Sequence, residues 1–256
     1  MSQVLITGGA GSIGPALIQE LTSRGHECVS FDLGQNPFHD VRYPFDLEQK
    51  PDVVYHLAAD KHAPDGEAHP YATQHVNIEG TRNALALGCK TILASTCKAA
   101  VPETVYGASK MIAERMVLNA FGGVVGRLYN VTESNRNVFQ LWAQQHKETG
   151  RIQVTRCERY FITLDEACMF LADLLHVDGG RYAPDPGPIH KMELVARKWC
   201  NDRSLDPDTV IEHVSARRGD RLKEPLCGFH ETVVGVAERS FKQILNPHDA
   251  RIPVVA

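Results

Sequence analysis

The sequence lacks several features that would place the protein in other classes. It has no apolar run long enough to cross a membrane, no long basic block, no internal repeat and no low-complexity linker. Its seven cysteines are dispersed without a CxxC pair, which disfavours a disulfide framework or a zinc site and indicates reduced thiols. The chain enters an apolar strand at once, so no signal peptide is expected. These absences predict a cytoplasmic protein without a bound metal and without nucleic-acid or membrane partners.

What remains is a composition suited to a globular enzyme-sized domain. The chain has 256 residues, of which 43% are hydrophobic, and a formal net charge of -4. A chain of this length can bury a sizeable core. We therefore expect one α/β domain with a small appendage.

A glycine-rich segment follows the first predicted strand, Gln3 to Ile6, and leads into a helical run. Its glycines, Gly8, Gly11 and Gly14, remove side chains where a backbone must turn tightly, approach a pyrophosphate or pack a helix against a strand. The N-terminus of the following helix would present free N–H groups to phosphates. This context favours a nucleotide site over an ordinary strand-to-helix turn.

Asp32 ends the next predicted strand, Glu27 to Phe31. A carboxylate at this position accepts hydrogen bonds from an adenosine ribose and repels a 2'-phosphate. No arginine follows within Leu33 to Asn36. The sequence therefore predicts NAD in preference to NADP.

Tyr106 and Lys110 lie four residues apart in the stretch STCKAAVPETVYGASK, Ser95 to Lys110. A helix from Tyr106 to Val117 would place the phenol and the ammonium on one face. A free phenol loses its proton at about pH 10, and a nearby ammonium with an oxidised nicotinamide would lower that pKa. Tyr106 is then predicted to take a proton from a sugar hydroxyl, and Lys110 to hold the cofactor ribose. A lone YxxxK also begins many surface helices, so the prediction depends on the accompanying motifs.

Only a few residues separate the segment His39 to Arg42 from the next predicted strand, Asp52 to Leu57. A parallel crossover normally takes about a dozen residues or more, so we expect a turn or a single helical turn and a thinly covered sheet face. Within the segment His39 to Arg42, Asp40 and Val41 are predicted to border the adenine. Small residues after the strand would admit the cofactor, and a polar loop follows at the carboxyl edge, where open α/β sheets bind ligands. His56 is predicted to pack at the strand end.

The second half of the chain is predicted to enter a smaller part after Val124 to Arg127. Helices are predicted at 138–146, 191–200 and 230–245, and short strands at 181–183 and 210–214.

Seven ordered motifs carry a family resemblance. They are TGGAGSIG (7–14), HLAADKHAP (56–64), NIEGTRN (77–83), STCKAAVPETVYGASK (95–110), RLYNV (127–131), RYFIT (159–163) and RRGDRLKE (217–224). Together they resemble the extended short-chain dehydrogenase/reductase family, and within it the inverting UDP-N-acetylglucosamine 4,6-dehydratases of the capsular-polysaccharide and flagellin-modification type.

The resemblance implies an α/β fold with a Rossmann-like doubly wound parallel sheet and a small C-terminal substrate-binding subdomain. Residues 1–130 would form the NAD-binding domain, and residues 131–256 would mainly bind substrate and return a strand or helix to the main sheet. Relatives pair through two helices per subunit, which implies a homodimer. The substrate would be a UDP-sugar.

The resemblance also implies roles for individual residues. Thr96 would bind the sugar O4, Tyr106 would act as the base for O4, and Lys98 would remove the C5 proton. Cofactor contacts are expected from Gly8, Gly11, Ser12, Ile13, Gly14, Asp32, Asp40, Val41, Leu57, Ala58, Ala59, Tyr106 and Lys110. Substrate contacts are expected from Lys61, His62, Asn130, Thr155, Arg159 and Arg218. For Lys61 the alternative is a solvated loop, for Arg159 an ion pair with Glu158 or Asp165, and for Arg218 a plain basic surface.

Cys97 is the main departure, because the subgroup carries an aspartate there that protonates the departing C6 hydroxyl. A thiol with an ordinary pKa of about 8.5 is mostly protonated at neutrality and can donate a proton. Lys98 beside it would instead favour the thiolate, which would exchange the two roles. In a third interpretation Cys97 only fills space.

These motifs predict C4 oxidation of UDP-N-acetylglucosamine or a similar UDP-hexose, elimination of water across C5 and C6, and hydride return. Return to C6 makes the protein a 4,6-dehydratase, and return to C4 makes it a 5,6-dehydratase. A 4-epimerase would need only Thr96, Tyr106 and Lys110. The non-enzyme alternative is a nucleotide-binding module with reduced catalytic activity, because parts of the chain are short.

Overall fold

The computed structural model describes residues 1–216, 221–236 and 240–246, and these residues form two compact units. The first unit contains Met1–Leu128, Asp165–Asp185 and the described residues from Pro225 onward. The second contains Tyr129–Leu164 and the described part of Pro186–Glu224. The chain thus leaves the first unit twice and returns to it twice.

The strands are numbered in chain order: β1 Gln3–Thr7, β2 Glu27–Phe31, β3 Val53–His56, β4 Lys90–Thr96, β5 Val124–Leu128, β6 Asn130–Val131, β7 Ile152–Thr155, β8 Glu158–Arg159, β9 Phe161–Ile162, β10 Gly180–Pro184, β11 His190–Lys191, β12 Ile211–Val214, β13 Thr232–Gly235 and β14 Phe241–Leu245.

The α-helices are α1 Gly14–Ser23, α2 Ala63–Ala68, α3 Pro70–Gln74, α4 Gly80–Ala86, α5 Val105–Leu118, α6 Val138–Thr149, α7 Leu164–Asp173, α8 Met192–Asn201 and α9 Pro207–Val210. A π-helical turn, His75–Glu79, joins α3 to α4, and 3-10 turns lie at Cys97–Ala99 and Leu174–His176. No helix among the described residues combines the length and apolarity needed to span a membrane.

The first unit is built on an eight-stranded sheet in the order β13-β14-β10-β5-β4-β3-β1-β2. The six strands from β10 to β2 pair in parallel, and β14 and β13 add antiparallel strands at one edge. All four residues of β3 are buried, and so are all five of β5. Such continuously buried strands are typical of a parallel sheet covered on both faces. The doubly wound α/β fold predicted from the sequence is therefore confirmed.

The crossover between β2 and β3 contains no helix, as the short sequence predicted. Instead, Val41 in this segment packs with Leu5, Phe31 and Val54, and irregular chain takes the place of a helix. Because no further strand forms here, β2 lies at the sheet edge. Val29 on it is 53% exposed, in agreement with the expected thin cover.

The helix predicted at 230–245 is wrong. The described residues there form β13 and β14, which pair antiparallel with each other, and β14 pairs with β10. Phe241 is 1% exposed and packs edge-on against Phe170 and Tyr182. The β-branched residues of TVVG and the apolar residues of FKQIL suit a sheet, and this tertiary pairing outweighs their weak helical pattern.

The second unit has its own core around Trp142 of α6, which packs against Ile152 of β7 and Trp199 of α8. The Trp142 indole donates to the carbonyl of Gln153 at 3.0 Å, so the ring is buried without an unsatisfied N–H. β7 pairs in parallel with β12.

Candidate active site

The glycine-rich turn after β1 lies where the sheet order reverses, between β1 and β3. Gly8 has a φ of +71°, and a Cβ there would lie 2.7 Å from the amide nitrogen of Ala58. A Cβ on Gly14 would overlap the carbonyl of Gly9. Both positions therefore require glycine, and the turn is held against the chain that follows β3. Open α/β sheets bind ligands at this point of strand reversal.

The helix α1 begins at Gly14, directly after the glycine-rich turn. Ile13 precedes the helix and makes no side-chain capping bond, and proline occupies the first turn. The N–H groups of a helix start need partners, and phosphate groups supply them. The turn and this helix start therefore fit the pyrophosphate of a dinucleotide.

Asp32 is fixed beside the glycine-rich turn by two backbone amides. Its Oδ2 accepts from the amide of Ala10 at 3.0 Å, and its Oδ1 accepts from that of Gly34 at 2.7 Å. The carboxylate therefore lies near the turn, where an adenosine ribose is bound in dinucleotide folds.

Asp40 and Val41, predicted to border the adenine, are both engaged within the protein. The Asp40 carboxylate accepts from Arg42, with Nη2 to Oδ2 at 2.6 Å, and this guanidinium holds the pKa of Asp40 below its usual range. Val41 is buried in the core beneath β1 and β2. An adenine contact at this segment would involve its backbone or the exposed side of the turn.

The YxxxK pair lies at the start of α5. Thr104 caps this helix, its hydroxyl accepting from the amide of Gly107 at 3.1 Å. The helix predicted from the sequence is confirmed to within a residue at each end. Tyr106 and Lys110 therefore lie one turn apart on the same helix.

Tyr106 is surrounded by the residues of the turn that follows β4. Burial raises the pKa of its phenol, and the nearby charge of Lys98 and a hydrogen bond with Thr96 oppose this rise. Cys97 and Asp60 also face the phenol and raise its pKa further. The structure therefore brings together the three residues Thr96, Cys97 and Lys98 with Tyr106. The protein alone keeps this phenol protonated.

Lys98 is the cation that lowers the pKa of Tyr106, whereas the sequence had predicted this role for Lys110. Lys110 is 1% exposed, and burial lowers its pKa to about 8, although Glu114 opposes the change. His56 lies near it, fully buried as predicted, with its Nδ1 2.7 Å from the hydroxyl of Thr7. Burial, with a contribution from Lys110, lowers the pKa of His56 to about 3, so the imidazole is neutral.

Cys97 begins the 3-10 turn Cys97–Ala99 and is 1% exposed. The turn is started by Thr96, whose hydroxyl accepts from the amide of Lys98 at 3.3 Å. The extended strand therefore ends at Thr96 and the chain turns at Cys97. This change of backbone direction allows the consecutive residues Thr96, Cys97 and Lys98 all to act on the phenol of Tyr106.

The loop after β3 is bound to α5 through Asn77, which sequence reasoning placed in a motif without giving it a role. The Asn77 amide donates to the carbonyl of Asp60 and to the hydroxyl of Ser109, each at 2.9 Å, and its oxygen accepts from the Asp60 amide at 2.8 Å. Ser109 in turn donates to the carbonyl of Tyr106 at 2.8 Å. Asn77 lies in the π-turn, a feature that is frequent at functional sites.

Two predicted substrate residues, Lys61 and His62, lie on this loop in the first unit. Lys61 is exposed, and the Nδ1 of His62 lies 2.9 Å from an oxygen of Asp65. Among the residues that the structure describes, no group of three or more His, Cys, Asp or Glu side chains is arranged to hold a metal ion.

The remaining predicted substrate residues belong to the second unit. Asn130 donates to the carboxylate of Glu224 at 3.0 Å, and the Nε of Arg159 lies 3.4 Å from the other oxygen of Glu224. The alternative expected from the sequence for Arg159 is an ion pair with Glu158 or Asp165. The carboxylate that pairs with Arg159 is instead that of Glu224. Thr155 ends β7 and is partly buried, and Arg218 lies outside the described residues.

Comparison with known proteins gives the family. Residues 39–245 match the family described as "Polysaccharide biosynthesis protein". The probable polysaccharide biosynthesis protein EpsC of Bacillus subtilis (strain 168) is 28% identical over 94% of this chain and 47% of its own length. A UDP-N-acetylglucosamine 4,6-dehydratase (inverting) of Campylobacter jejuni is 26% identical over 86% of this chain and 76% of its own. The chain spans about half the length of EpsC and of the Staphylococcus aureus protein CapD.

Solved structures show the same fold. Pen from Bacillus thuringiensis aligns with a TM-score of 0.82 at 24% identity, over 96% of this chain and 90% of its own. The UDP-glucose 4-epimerase of Thermus thermophilus, solved with NAD, aligns with a TM-score of 0.74 at 21% identity, over 88% and 90%. With the family match covering most of the chain, the protein belongs to the polysaccharide biosynthesis protein family of extended short-chain dehydrogenases/reductases, which have a Rossmann fold.

Proposed function

We propose that the chain is an NAD-dependent nucleotide-sugar dehydratase that acts on UDP-N-acetylglucosamine or a similar UDP-hexose. The observation that carries this proposal is the cluster around Tyr106: Thr96 bonds its phenol, and Lys98 and Cys97 face it. An epimerase or a simple reductase needs the hydroxyl, the phenol and a lysine. A second acid–base pair beside them suits an elimination.

NAD would be held by the turn at Gly8 and Gly14, the start of α1 and the carboxylate of Asp32. When bound, it would reversibly accept a hydride from the sugar and place a positive charge near Tyr106. That charge would lower the pKa of a phenol that burial otherwise raises. The preference for NAD over NADP rests on Asp32, which would repel a 2'-phosphate.

Tyr106 would take the proton from the C4 hydroxyl, and the Thr96 hydroxyl would hold the O4 oxygen in line with it. The resulting 4-ketone acidifies the hydrogen on C5. Lys98 would first give up its own proton to solvent and then, as the amine, remove the C5 proton, and the C6 oxygen would leave as water with a proton from Cys97. For the 4,6-dehydratase the cycle would close when the hydride returns to C6 and Lys98 gives its proton back to C5, while the proton that Tyr106 took from O4 replaces the one that Cys97 gave to the leaving water.

Cys97 as the proton donor is the first of three possible assignments. The thiol is nine-tenths or more buried and faces Tyr106, which places it in the cluster. Exchange of roles between Cys97 and Lys98 ranks second, and a space-filling Cys97 ranks third.

We propose that the second unit binds the UDP group through Asn130, Thr155 and Arg159. The planar guanidinium of Arg159 would grip phosphate oxygens with two hydrogen bonds. Lys61, His62 and Arg218 complete the proposed substrate contacts. Glu224 holds both Asn130 and Arg159, so it would set their orientation.

We propose a cytoplasmic location, because the seven cysteines are dispersed along the sequence without a CxxC pair. We propose a homodimer, because the relatives that this chain resembles pair through two helices per subunit. Light scattering on the purified chain would give the mass and decide between monomer and dimer.

Incubation of the purified chain with UDP-N-acetylglucosamine in D2O, followed by mass spectrometry and NMR of the product, tests the proposal. A dehydratase gives a product lighter by one water, with deuterium at C5 for the 4,6-dehydratase. A 5,6-unsaturated sugar indicates hydride return to C4. Recovery of only the C4 epimer, or of unchanged substrate with no NAD bound, contradicts the dehydratase.

Substitution of Cys97 separates the rival reactions. Cys97→Ala is expected to abolish elimination by a dehydratase and to leave a 4-epimerase active. The matched control is Cys89→Ala, which changes a partly buried thiol just before β4, at the far end from Thr96. Full dehydratase activity in Cys97→Ala would mean that the residue only fills space.

A further inference from the structure

A buried network of two arginines and two glutamates lies behind the candidate active site. Arg127 donates to both oxygens of Glu114 at 2.8 Å, and its guanidinium also meets both oxygens of Glu231, at 2.5 and 2.8 Å. Arg181 donates to Glu114 at 2.8 Å and lies 3.4 Å from Glu231. All four side chains are 5% exposed or less. Charges buried this deeply are stable only when they are paired, and here two positive charges balance two negative ones.

Glu114 connects this network to Lys110 and to Ser95. Glu114 follows Lys110 by one turn of α5, and the hydroxyl of Ser95, the residue before Thr96, donates to its carboxylate at 2.6 Å. Arg127 and neighbouring groups hold the pKa of Glu114 below its usual value against the effect of burial, so Glu114 is an anion.

Glu231 comes from a distant part of the chain, the described segment that returns to this unit after residue 224. Its carboxylate also accepts from the amide of Gly228 at 2.6 Å, which fixes the segment. Glu231 touches none of the proposed catalytic side chains directly, so any effect on them must pass through Arg127 and Glu114.

The charge of Lys110 is finely balanced. Burial has already lowered its pKa to about 8, so at pH 7 it is about nine-tenths protonated. The titratable groups that face this lysine and its helical neighbour Tyr106 are Glu114 and the neutral His56 for Lys110, and Lys98, Cys97 and Asp60 for Tyr106. Among these, Glu114 is the group that favours the ammonium form of Lys110.

We propose that Glu231 is a positioning residue for the active site: it neutralises and orients Arg127, and thereby leaves Glu114 to stabilise the protonated form of Lys110. With Glu231 the network is neutral. Without it, Glu114 alone faces two guanidinium groups, and a net positive charge lies behind Lys110. The role of Lys110 in holding the cofactor rests on the proposed function, but its protonation can be measured without cofactor or substrate.

The test is the titration midpoint of Lys110 in the whole chain labelled with 13Cε-lysine, with Lys110→Arg used to assign its NMR signal. In Glu231→Gln the midpoint is expected to fall by on the order of one pH unit. At pH 7 that would leave about half of Lys110 protonated. Arg181→Gln removes a positive charge, so the titration midpoint of Lys110 in this variant is expected to rise. The double variant is neutral again and is expected to return close to the wild-type value.

The two single variants are expected to shift the midpoint of Lys110 in opposite directions. If Glu231→Gln does not fold, Arg181→Gln and the double variant decide, because their network charges are -1 and zero. The control Glu148→Gln removes an exposed glutamate of α6 and is expected to leave the midpoint unchanged. Unmoved midpoints in folded Glu231→Gln or Arg181→Gln overturn the proposal. If the predicted shifts occur but no UDP-sugar is turned over, the role of Glu231 is upheld and the proposed reaction is refuted. If a UDP-sugar is turned over but the midpoints do not shift, the proposed reaction is upheld and the role of Glu231 is refuted.

Discussion

Lys110 should make the protein less stable than it would be with an uncharged residue at the same place. The side chain is 1% exposed, and its pKa falls from an ordinary 10.5 to about 8, chiefly because of burial. At about 1.4 kcal/mol per pH unit, keeping the ammonium buried costs about 3 kcal/mol of folding free energy. Lys110→Met keeps the length of the side chain and removes the charge. We therefore expect this variant to be more stable than wild type by up to about 3 kcal/mol at pH 7, and to bind NAD poorly.

The pH dependence gives the prediction a sign that simple packing would not give. Below about pH 8, Lys110 is protonated in both the folded and unfolded states, and the whole cost is present. Between about pH 8 and 10.5 the folded protein loses this proton first, so the unfolded state binds more protons and wild-type stability rises with pH. The advantage of Lys110→Met is therefore expected to shrink across that range.

Urea unfolding followed by circular dichroism at pH 7 and pH 9.5 measures both effects. Lys147→Met, on α6, is the control for loss of an exposed lysine, and it is expected to change the free energy of unfolding little. A Lys110→Met protein that is less stable than wild type at pH 7, or whose advantage does not change with pH, would refute the reasoning.

Three further substitutions test separate parts of the structure. Gly8→Ala would place a Cβ 2.7 Å from the amide nitrogen of Ala58 at a positive φ, so calorimetry is expected to show NAD affinity reduced by at least ten-fold; unchanged affinity would place the dinucleotide elsewhere. Thr96→Val removes a hydrogen bond that lowers the pKa of Tyr106, so the rising limb of the kcat/KM profile is expected to move to higher pH, and an unmoved limb would exclude Tyr106 as the base. Trp142→Ala empties the centre of the second unit's core and is expected to cost about 3 to 5 kcal/mol in denaturant unfolding; a cost below 1 kcal/mol would contradict that packing.

The parts of the fold that the sequence predicted are those where one local pattern decides the structure. β1 and β4 contain short apolar runs bounded by glycine or polar residues, and α5 has a threonine cap followed by a helical face. The missing crossover helix was also predictable, because few residues lie between the segment 39–42 and β3. In each case no distant residue is needed to choose between helix and strand.

The failures occur where distant residues decide. The stretch that forms β13 and β14 has a weak helical pattern, but β10 offers an unpaired sheet edge, and Phe241 fits between Phe170 and Tyr182. Only the folded protein contains that edge. A sequence window cannot weigh it against local propensity.

The candidate active site divides in the same way. The spacing of Tyr106 and Lys110 is a local feature, and it indicated which helix would carry the chemistry. The electrostatic environment depends on more than this spacing: Lys98, from the turn after β4, opposes the effect of burial on the pKa of Tyr106, and Glu114, one turn further along α5, favours the charged form of Lys110.

Glu114 in turn depends on an arginine 13 positions away, and that arginine on a glutamate 104 positions further along the chain. A motif can therefore identify the groups that exchange protons, but Glu114, Arg181 and Glu231, which we propose to influence their protonation, lie outside the seven motifs. If the Lys110 midpoint does follow the net charge of that distant network, a search for inactive relatives that keep YxxxK intact should look for unbalanced substitutions at the positions equivalent to Arg127, Arg181 and Glu231.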